Sequence, residues 1–277
     1  MPELKAFHDF SKAQGWEIIH GDYLFSEHHQ LAGTDQERRS DLQNMMNRED
    51  LSAIWFARGG YGTVRVLEGL DFSKFKEHPK WMIGYSDLTA FHLQLYAKTQ
   101  LKSLHGTMPV NFKTNTPECL EITKGILEGS PNPYEWNSGS DLSLDGKAEG
   151  VLVGGNLSVI YSLLGSESIP DMNGKILFIE DLDEYLYHID RMMMNLKRNG
   201  ILEEISGLVV GGMTDMNDNA IPWGKRAEET IYEHFKGYGK PLAFDFSGGH
   251  VDHHLPLIHG EFHTLEVNQG HCRLSSV

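Results

Sequence analysis

Trp81-Met82-Ile83-Gly84-Tyr85-Ser86-Asp87-Leu88-Thr89 sets the frame for the rest of the chain. Residues 80–84 are apolar after Lys80 and of strand length, and residues 87–98 repeat apolar positions with helical spacing. A strand that passes through a short turn into a helix is the repeating unit of a parallel α/β sheet. The unit recurs upstream. Residues 51–57 form an apolar run that stops at Arg58-Gly59-Gly60-Tyr61-Gly62, and residues 63–70 follow as a helix. Further back, residues 34–47 read as a helix with a capping box, Thr34 standing three residues before Glu37. Residues 16–19 are expected as a short strand and residues 3–14 as a helix, so the alternation opens on a helix.

Downstream the texture changes. Between Asn111 and Gly146, Thr, Asn, Pro, Ser and Gly dominate around one helical piece at 117–129. This divides the chain into an N-terminal α/β part (1–115), a linker region (116–145) and a C-terminal α/β part (146–277). In the last part, strands are expected at 146–154, 175–179, 207–211 and 241–246, with helices at 156–164, 184–198 and 227–235. Residues 255–257 and 262–266 read as edge strands. No internal repeat or low-complexity tract interrupts the pattern.

Composition narrows the function classes. The 277 residues are 40% hydrophobic and 23% charged, a balance that supplies a sizeable core for one large domain or two ordinary ones. A net charge of −15 leaves no excess of Lys and Arg to neutralise phosphates, which argues against nucleic acid and anionic membrane as partners. There is no run of 18 apolar residues, and residues 1–14 lack the basic start and apolar stretch of a signal peptide. Cys119 and Cys272 are too few for a disulfide framework or a Cys-x-x-Cys motif. A cytoplasmic location is the expectation.

Ser86 sits where a strand meets a helix, at the carboxyl edge where open α/β sheets bind ligands. The free amides and positive end of the helix suit a developing oxyanion. The segment has the logic of a G-x-S-x-G elbow, with Leu88 in place of the last glycine. The alternative is that Ser86 caps the helix. A serine nucleophile needs a base and the base an orienting acid. His250, in Ser247-Gly248-Gly249-His250, is the base candidate among fifteen histidines. Glu180, ending the apolar run 175–179, is the acid candidate, with Asp181 its competitor; the alternative is a helix start enriched in negative charge. Gly59 and Gly60, with the backbone of Asp87, are candidates for an oxyanion site, Arg58 for pairing with a substrate carboxylate. Gly154-Gly155-Asn156 places Asn156 at a helix cap and in the candidate binding set; plain turn geometry is the alternative for both glycine loops. His250-Val251-Asp252-His253-His254 raises a metal hypothesis, but the spacing fits no zincin pattern, so neither metal nor organic cofactor is expected.

Together these segments resemble the LD-carboxypeptidase family, the muramoyltetrapeptide carboxypeptidases. The likeness rests on Ala32-Gly33-Thr34-Asp35 with Arg38, Ala57 to Gly62, Ile83 to Thr89, His105-Gly106-Thr107-Met108-Pro109, Gly154-Gly155-Asn156-Leu157, Phe178-Ile179-Glu180-Asp181, and Gly248-Gly249-His250 followed by Leu255-Pro256-Leu257. It spans nearly the whole chain, and seven such segments in one order are specific.

The resemblance implies an N-terminal parallel-sheet domain of flavodoxin or Rossmann type carrying the serine. It implies a C-terminal, β-rich α/β domain carrying the other two residues of a Ser86–Glu180–His250 triad, often in a homodimer. The implied reaction removes terminal D-alanine from murein tetrapeptides in cell-wall recycling, at a bond from the L centre of a diamino acid to a D residue. One departure is that the family's usual opening strand, before the first helix, is missing. Rival readings are a peptidyl-nucleotide amide hydrolase of the microcin C immunity type, with Trp223 as a base-stacking candidate, a non-catalytic peptide-binding module, and a metal hydrolase.

Overall fold

The computed structural model describes residues 2–130 and 133–276. In chain order, α1 is Lys5–Ala13, α2 Asp35–Asn47, β1 Ala53–Trp55, α3 Val64–Leu67, α4 Ser73–Glu77, β2 Trp81–Gly84, α5 Thr89–Thr99 and β3 Ser103–His105. Next come α6 Pro117–Leu127, β4 Tyr134–Asn137, β5 Gly146–Asn156, α7 Leu157–Leu163, β6 Ile176–Leu182, α8 Leu186–Arg198, α9 Ile201–Glu204, β7 Gly207–Thr214 and α10 Ala227–Phe235. β8 Leu242–Ala243, β9 Leu257–His259, β10 Phe262–Asn268 and β11 His271–Ser276 follow.

The strands form two sheets. One has the order β1-β2-β3-β9, the other β4-β11-β10-β5-β6-β7-β8. The alternating βα units give parallel pairing, as the pattern predicts: β1 with β2, β2 with β3, and β5 through β8 in sequence. The last strands add antiparallel ladders. β9 returns to the first sheet beside β3, so the C-terminal part of the chain closes the N-terminal sheet. β10 and β11 form a hairpin through Gln269-Gly270, both at positive φ, a two-residue turn whose twist matches that of its strands.

The two sheets share a core because of α5. Residues Thr89 to Tyr96 are all buried, so this helix is enclosed on every side rather than along one stripe. It packs against β5 and α7. Phe91, Leu93 and Leu95 join Val153, Leu177, Ile179, Met192 and Phe235 in one apolar cluster. The first turn of α5 lies on the end of β5, where Thr89 Oγ1 accepts a hydrogen bond from the Asn156 amide at 2.9 Å. Gly155 permits this: a Cβ there would lie 2.3 Å from Thr89 Oγ1.

Several elements differ from the sequence pattern for identifiable reasons. Residues 16–19 form no strand, because no ladder partner lies beside them; Trp16 packs its ring on Phe10 and Trp55 instead. Residues 116–145 are more than a connection, since they carry α6 and β4, and β4 pairs with β11 at the edge of the larger sheet. Of residues 241–246, Leu242–Ala243 alone make a ladder; Asp245 at φ 62 interrupts it, and Phe246 N–H then donates to the Val210 carbonyl of β7 at 3.1 Å. Residues 262–266 lie inside the sheet, between β5 and β11, rather than at its edge. β6 extends past 179 to Leu182, which puts Glu180 within the strand.

Four buried histidines line the contact between the sheets. His92 and His259 stack at 5.8 Å, and His105 meets His92 at 6.5 Å and His254 at 5.3 Å. His92 is satisfied by Ser103 Oγ and the Gly84 carbonyl, but both ring nitrogens of His105 and His259 are buried without a partner among the described residues. Burial pushes all four below the usual imidazole range, His92 to about 4 and His254 to about 3. These groups stay neutral in the folded state while the unfolded chain protonates them near pH 6.5, so their effect is destabilising as pH falls below that value. Asp181, raised to about 7 by burial and by the charge of Glu180, works in the opposite direction and offsets one of the four. Urea unfolding should therefore show a loss of more than about 2 kcal/mol between pH 7 and pH 5, since each excluded proton contributes up to about 1.4 kcal/mol per pH unit. An unchanged midpoint would show that the folded protein accepts these protons.

Candidate active site

Ser86 begins a single turn of 3-10 helix, Ser86–Leu88, between the end of β2 at Gly84 and the start of α5 at Thr89. It is a non-glycine residue at φ +66, a conformation costing on the order of 1–3 kcal/mol and characteristic of a side chain thrust out of a tight turn. Its hydroxyl makes no capping bond. Instead Ser86 Oγ lies 3.1 Å from His250 Nε2. The capping alternative is therefore not the one realised.

His250 and Glu180 come from loop and strand. His250 Nδ1 lies 2.7 Å from Glu180 Oε2, and Glu180 is fully buried. The other carboxylate oxygen, Oε1, has no partner among the described residues. β6 and β7 shift register between Ile179 and Asp181, which inserts an extra residue of β7 at Gly211-Gly212. Into this bulge comes the loop bearing His250: Gly212 N–H donates to the Gly248 carbonyl at 2.9 Å. Gly249, at φ +96, then passes directly over Glu180. The loop is fixed from the other side by His254 and Asn115. Gly249 N–H donates to His254 Nδ1 at 2.8 Å, His254 N–H donates to Asn115 Oδ1 at 3.0 Å, and Asn115 Nδ2 donates to the His254 carbonyl at 3.2 Å.

The electrostatics favour a charged imidazole. Burial acts to lower the His250 pKa, but the hydrogen bond and charge of Glu180, together with Asp181, outweigh it and leave a net upward shift. Tyr85, whose ring is 5.0 Å from that of His250, is pushed up to about 12 by burial and by Glu180, so its hydroxyl keeps its proton.

The glycine loop lies against Ser86. A Cβ on Gly59 would sit 3.0 Å from Ser86 Cβ and 3.1 Å from Oγ. Among the described residues, the amides of Gly59, Gly60 and Asp87 have no acceptor within the protein. The loop is pinned at its far end. Thr63 N–H donates to Asp87 Oδ2 at 2.8 Å, and Arg38 Nη1 donates to the Gly62 carbonyl at 3.0 Å. Asp35, on which Arg38 also rests, is clasped by Arg65, whose hydrogen bonds hold its carboxyl down at about 2. Arg58 is exposed and forms no ion pair among the described residues.

Asn156 differs from the expectation that placed it among substrate-binding groups. It is 3% exposed, its Nδ2 donates to Asp181 Oδ1 at 2.8 Å, and its Oδ1 accepts from Ser158 Oγ and the Val159 amide at the start of α7. Asp181, the competitor for the acid position, faces this cap and accepts from Ser158 N–H at 2.9 Å, away from His250. Adjacent residues of a strand point to opposite faces, which separates Glu180 from Asp181. The histidine run 250–254 is likewise dispersed: His253 Nδ1 meets Thr116 Oγ1 at 3.0 Å, and no group of three potential ligands suited to a metal occurs among the described residues. Tyr85, Asn115 and His254 also shape the site, and no local sequence pattern marks them out individually. Their partners are remote in sequence, and of the three only His254 falls in a run, 250–254, that stands out in the chain.

The description of the LD-carboxypeptidase N-terminal domain matches residues 1–106, and that of the LD-carboxypeptidase C-terminal domain matches residues 149–265. The chain belongs to the LD-carboxypeptidase family. It is 36% identical over 250 residues to a protein of Bacillus subtilis named "Probable murein peptide carboxypeptidase", covering 87% of this chain and 77% of that one. It is 28% identical to the microcin C7 self-immunity protein of Escherichia coli, covering 90% and 81%. The crystal structure of muramoyltetrapeptide carboxypeptidase from Oxalobacter formigenes superposes with a TM-score of 0.88 at 27% identity, covering 99% of this chain and 94% of that one.

Two glycines test the steric account. A Cβ on Gly249 would lie 2.6 Å from both Cγ and Oε2 of Glu180, whereas a Cβ on Gly60, at the similar φ of +111, would meet nothing within 4 Å. Gly60→Ala carries the backbone penalty alone, about 1–2 kcal/mol. Gly249→Ala should be measurably less stable than Gly60→Ala in thermal unfolding. Equal melting temperatures would contradict the close packing on Glu180.

Proposed function

We propose that this protein is a serine carboxypeptidase that hydrolyses the L,D-amide bond releasing terminal D-alanine from murein tetrapeptides. The observation that carries the reading is the line Ser86 Oγ, His250, Glu180, at 3.1 Å and 2.7 Å, in a chain of the LD-carboxypeptidase family. Residence in the cytoplasm and assembly as a homodimer belong to the same proposal and rest on the family likeness. Among the described residues no helix is long and apolar enough to cross a membrane. Light scattering on the purified protein tests the dimer.

In this mechanism His250 Nε2 removes the Ser86 proton as Oγ attacks the amide carbonyl. Glu180 accepts the Nδ1 proton in a hydrogen bond, which fixes the tautomer and stabilises the imidazolium. The unengaged amides of Gly59, Gly60 and Asp87 bind the oxyanion, in a position the positive φ of Ser86 helps to set. Arg58 pairs with the terminal carboxylate of the substrate. His250 then protonates the departing D-alanine nitrogen, and water, activated by the same imidazole, releases the acyl group from Ser86. The second reading, a peptidyl-nucleotide amide as substrate, draws on the likeness to the microcin self-immunity protein and on the part-exposed ring of Trp223.

Free D-alanine measured after incubation with murein tetrapeptide tests the proposal, with a peptidyl-nucleotide amide assayed in parallel. Ser86→Ala should lower kcat by about 10⁴-fold or more with the fold intact. Near-normal turnover in that variant would sink the assignment. Because the His250 pKa is raised above 6.5 and the neutral imidazole is the base, kcat/KM should rise with pH through a midpoint above 6.5. Glu180→Gln removes the raising partner, so the residual activity should titrate at lower pH.

A further inference from the structure

Beside His250 lies a cavity whose wall, His250 apart, plays no part in the proposed bond-breaking steps. Its volume is about 200 Å³, and Tyr85, Asn111, Thr114, Asn115, His250 and Asp252 are among the residues around it. This is smaller than the roughly 300–1,000 Å³ of sites that hold whole drug-sized molecules, and suits one side chain of a larger ligand. Ser86 is not part of its wall. It therefore flanks the bond-breaking centre on the His250 side.

The chemistry of the wall is one-sided. Asn115 is saturated by Thr107, Thr116 and the His254 backbone, and Thr114 Oγ1 donates to the Asn111 carbonyl. Three polar groups remain without a partner among the described residues: the Asp252 carboxylate, the Asn111 side-chain amide and the Tyr85 hydroxyl. Among the lining residues, Asp252 alone carries a permanent charge, and no Lys or Arg lines the cavity. The wall is also preorganised. The double hydrogen bond from Asn115 to His254 fixes the loop that carries Asp252, and the Tyr85 and His254 rings pack at 4.6 Å. A rigid cavity with a carboxylate, an amide and a hydroxyl, and no cation, is complementary to a positively charged group with several N–H donors.

We infer that this cavity binds the distal ammonium group of the diamino acid on the acyl side of the scissile bond, with Asp252 as the residue that selects for it. The inference rests on the carboxypeptidase reading above and adds the substrate feature recognised there. Asp252 and Arg58 then form a pair of opposite charges on separate loops, one for the ammonium and one for the terminal carboxylate. A peptide lacking the ammonium leaves Asp252 facing an uncharged group and loses a charge-assisted hydrogen bond.

The test compares two tetrapeptides, one with the distal ammonium on its diamino acid and one with a hydroxyl of similar size in its place, by release of D-alanine. The wild-type protein should prefer the ammonium peptide by tenfold or more in kcat/KM, expressed mainly in KM. Asp252→Asn should bring that ratio to within about twofold. Asp252 is exposed and makes no hydrogen bond within the described structure, so the variant should melt with the wild type. A wild-type ratio near one, or an Asp252→Asn protein that keeps the wild-type ratio, overturns the inference while leaving the carboxypeptidase reading intact. Cleavage of neither peptide by the wild type would instead remove the reading on which the inference stands.

Discussion

The architecture depends on how closely the first turn of α5 lies on the end of β5. Gly155 allows Thr89 to approach, and the Asn156 amide closes the contact with a hydrogen bond. That contact has two ends. On the α5 side, the helix begins just after Ser86. On the β5 side, Asn156 pairs in register with Glu180 of β6. A side chain at Gly155 would push the sheets apart and with them the serine and the carboxylate. The apolar enclosure of α5 supplies the driving force, since burying one large aliphatic or aromatic side chain contributes about 1.5–3 kcal/mol and most of this helix is buried. Hydrophobic association thus brings the two halves together, and a glycine sets the distance.

A second constraint acts on His250. Its loop is held by a β-bulge, by a glycine that clears Glu180, and by the His254 and Asn115 hydrogen bonds. Such restraint matters because a fully buried carboxylate is costly unless its charge is answered. Here one oxygen of Glu180 is answered by His250 and the other by nothing in the described structure. Burial first, and the Glu180 charge second, raise the neighbouring acids. Asp181 is raised to about 7 and Tyr85 to about 12, while His250 is shifted toward its charged form. The site is therefore built to welcome a positive charge on the imidazole.

Much of this was legible in the chain. The alternation of strands and helices is written in local periodicity, so parallel pairing of β5 through β8 followed from the pattern. The capping box at Thr34 and the helix at Ala227–Phe235 were equally local and are found as read. The structure departs from the local pattern where pairing decides it. Residues 16–19 have strand composition but no partner, and residues 262–266 look like an edge yet lie between two strands. Asn156 caps α7, as its place after two glycines implies, but its amide nitrogen is engaged by Asp181 across the sheet.

The sequence by itself determined the fold class, the elbow that exposes Ser86 and the identity of the residue types around it, because strand period, glycine placement and helix starts are local properties. It also carried the family, through seven segments in a fixed order. Only the tertiary structure decided which residues meet. Ser86, Glu180 and His250 are separated by 94 and 70 positions, and their meeting depends on sheet register, a bulge at Gly211-Gly212 and the closeness of α5 to β5. Contacts of that range are set by packing across the whole chain, and no local pattern encodes them. The four neutral histidines and the cavity at Asp252 belong to the same class: each residue is unremarkable in sequence, and burial or enclosure gives it its chemistry.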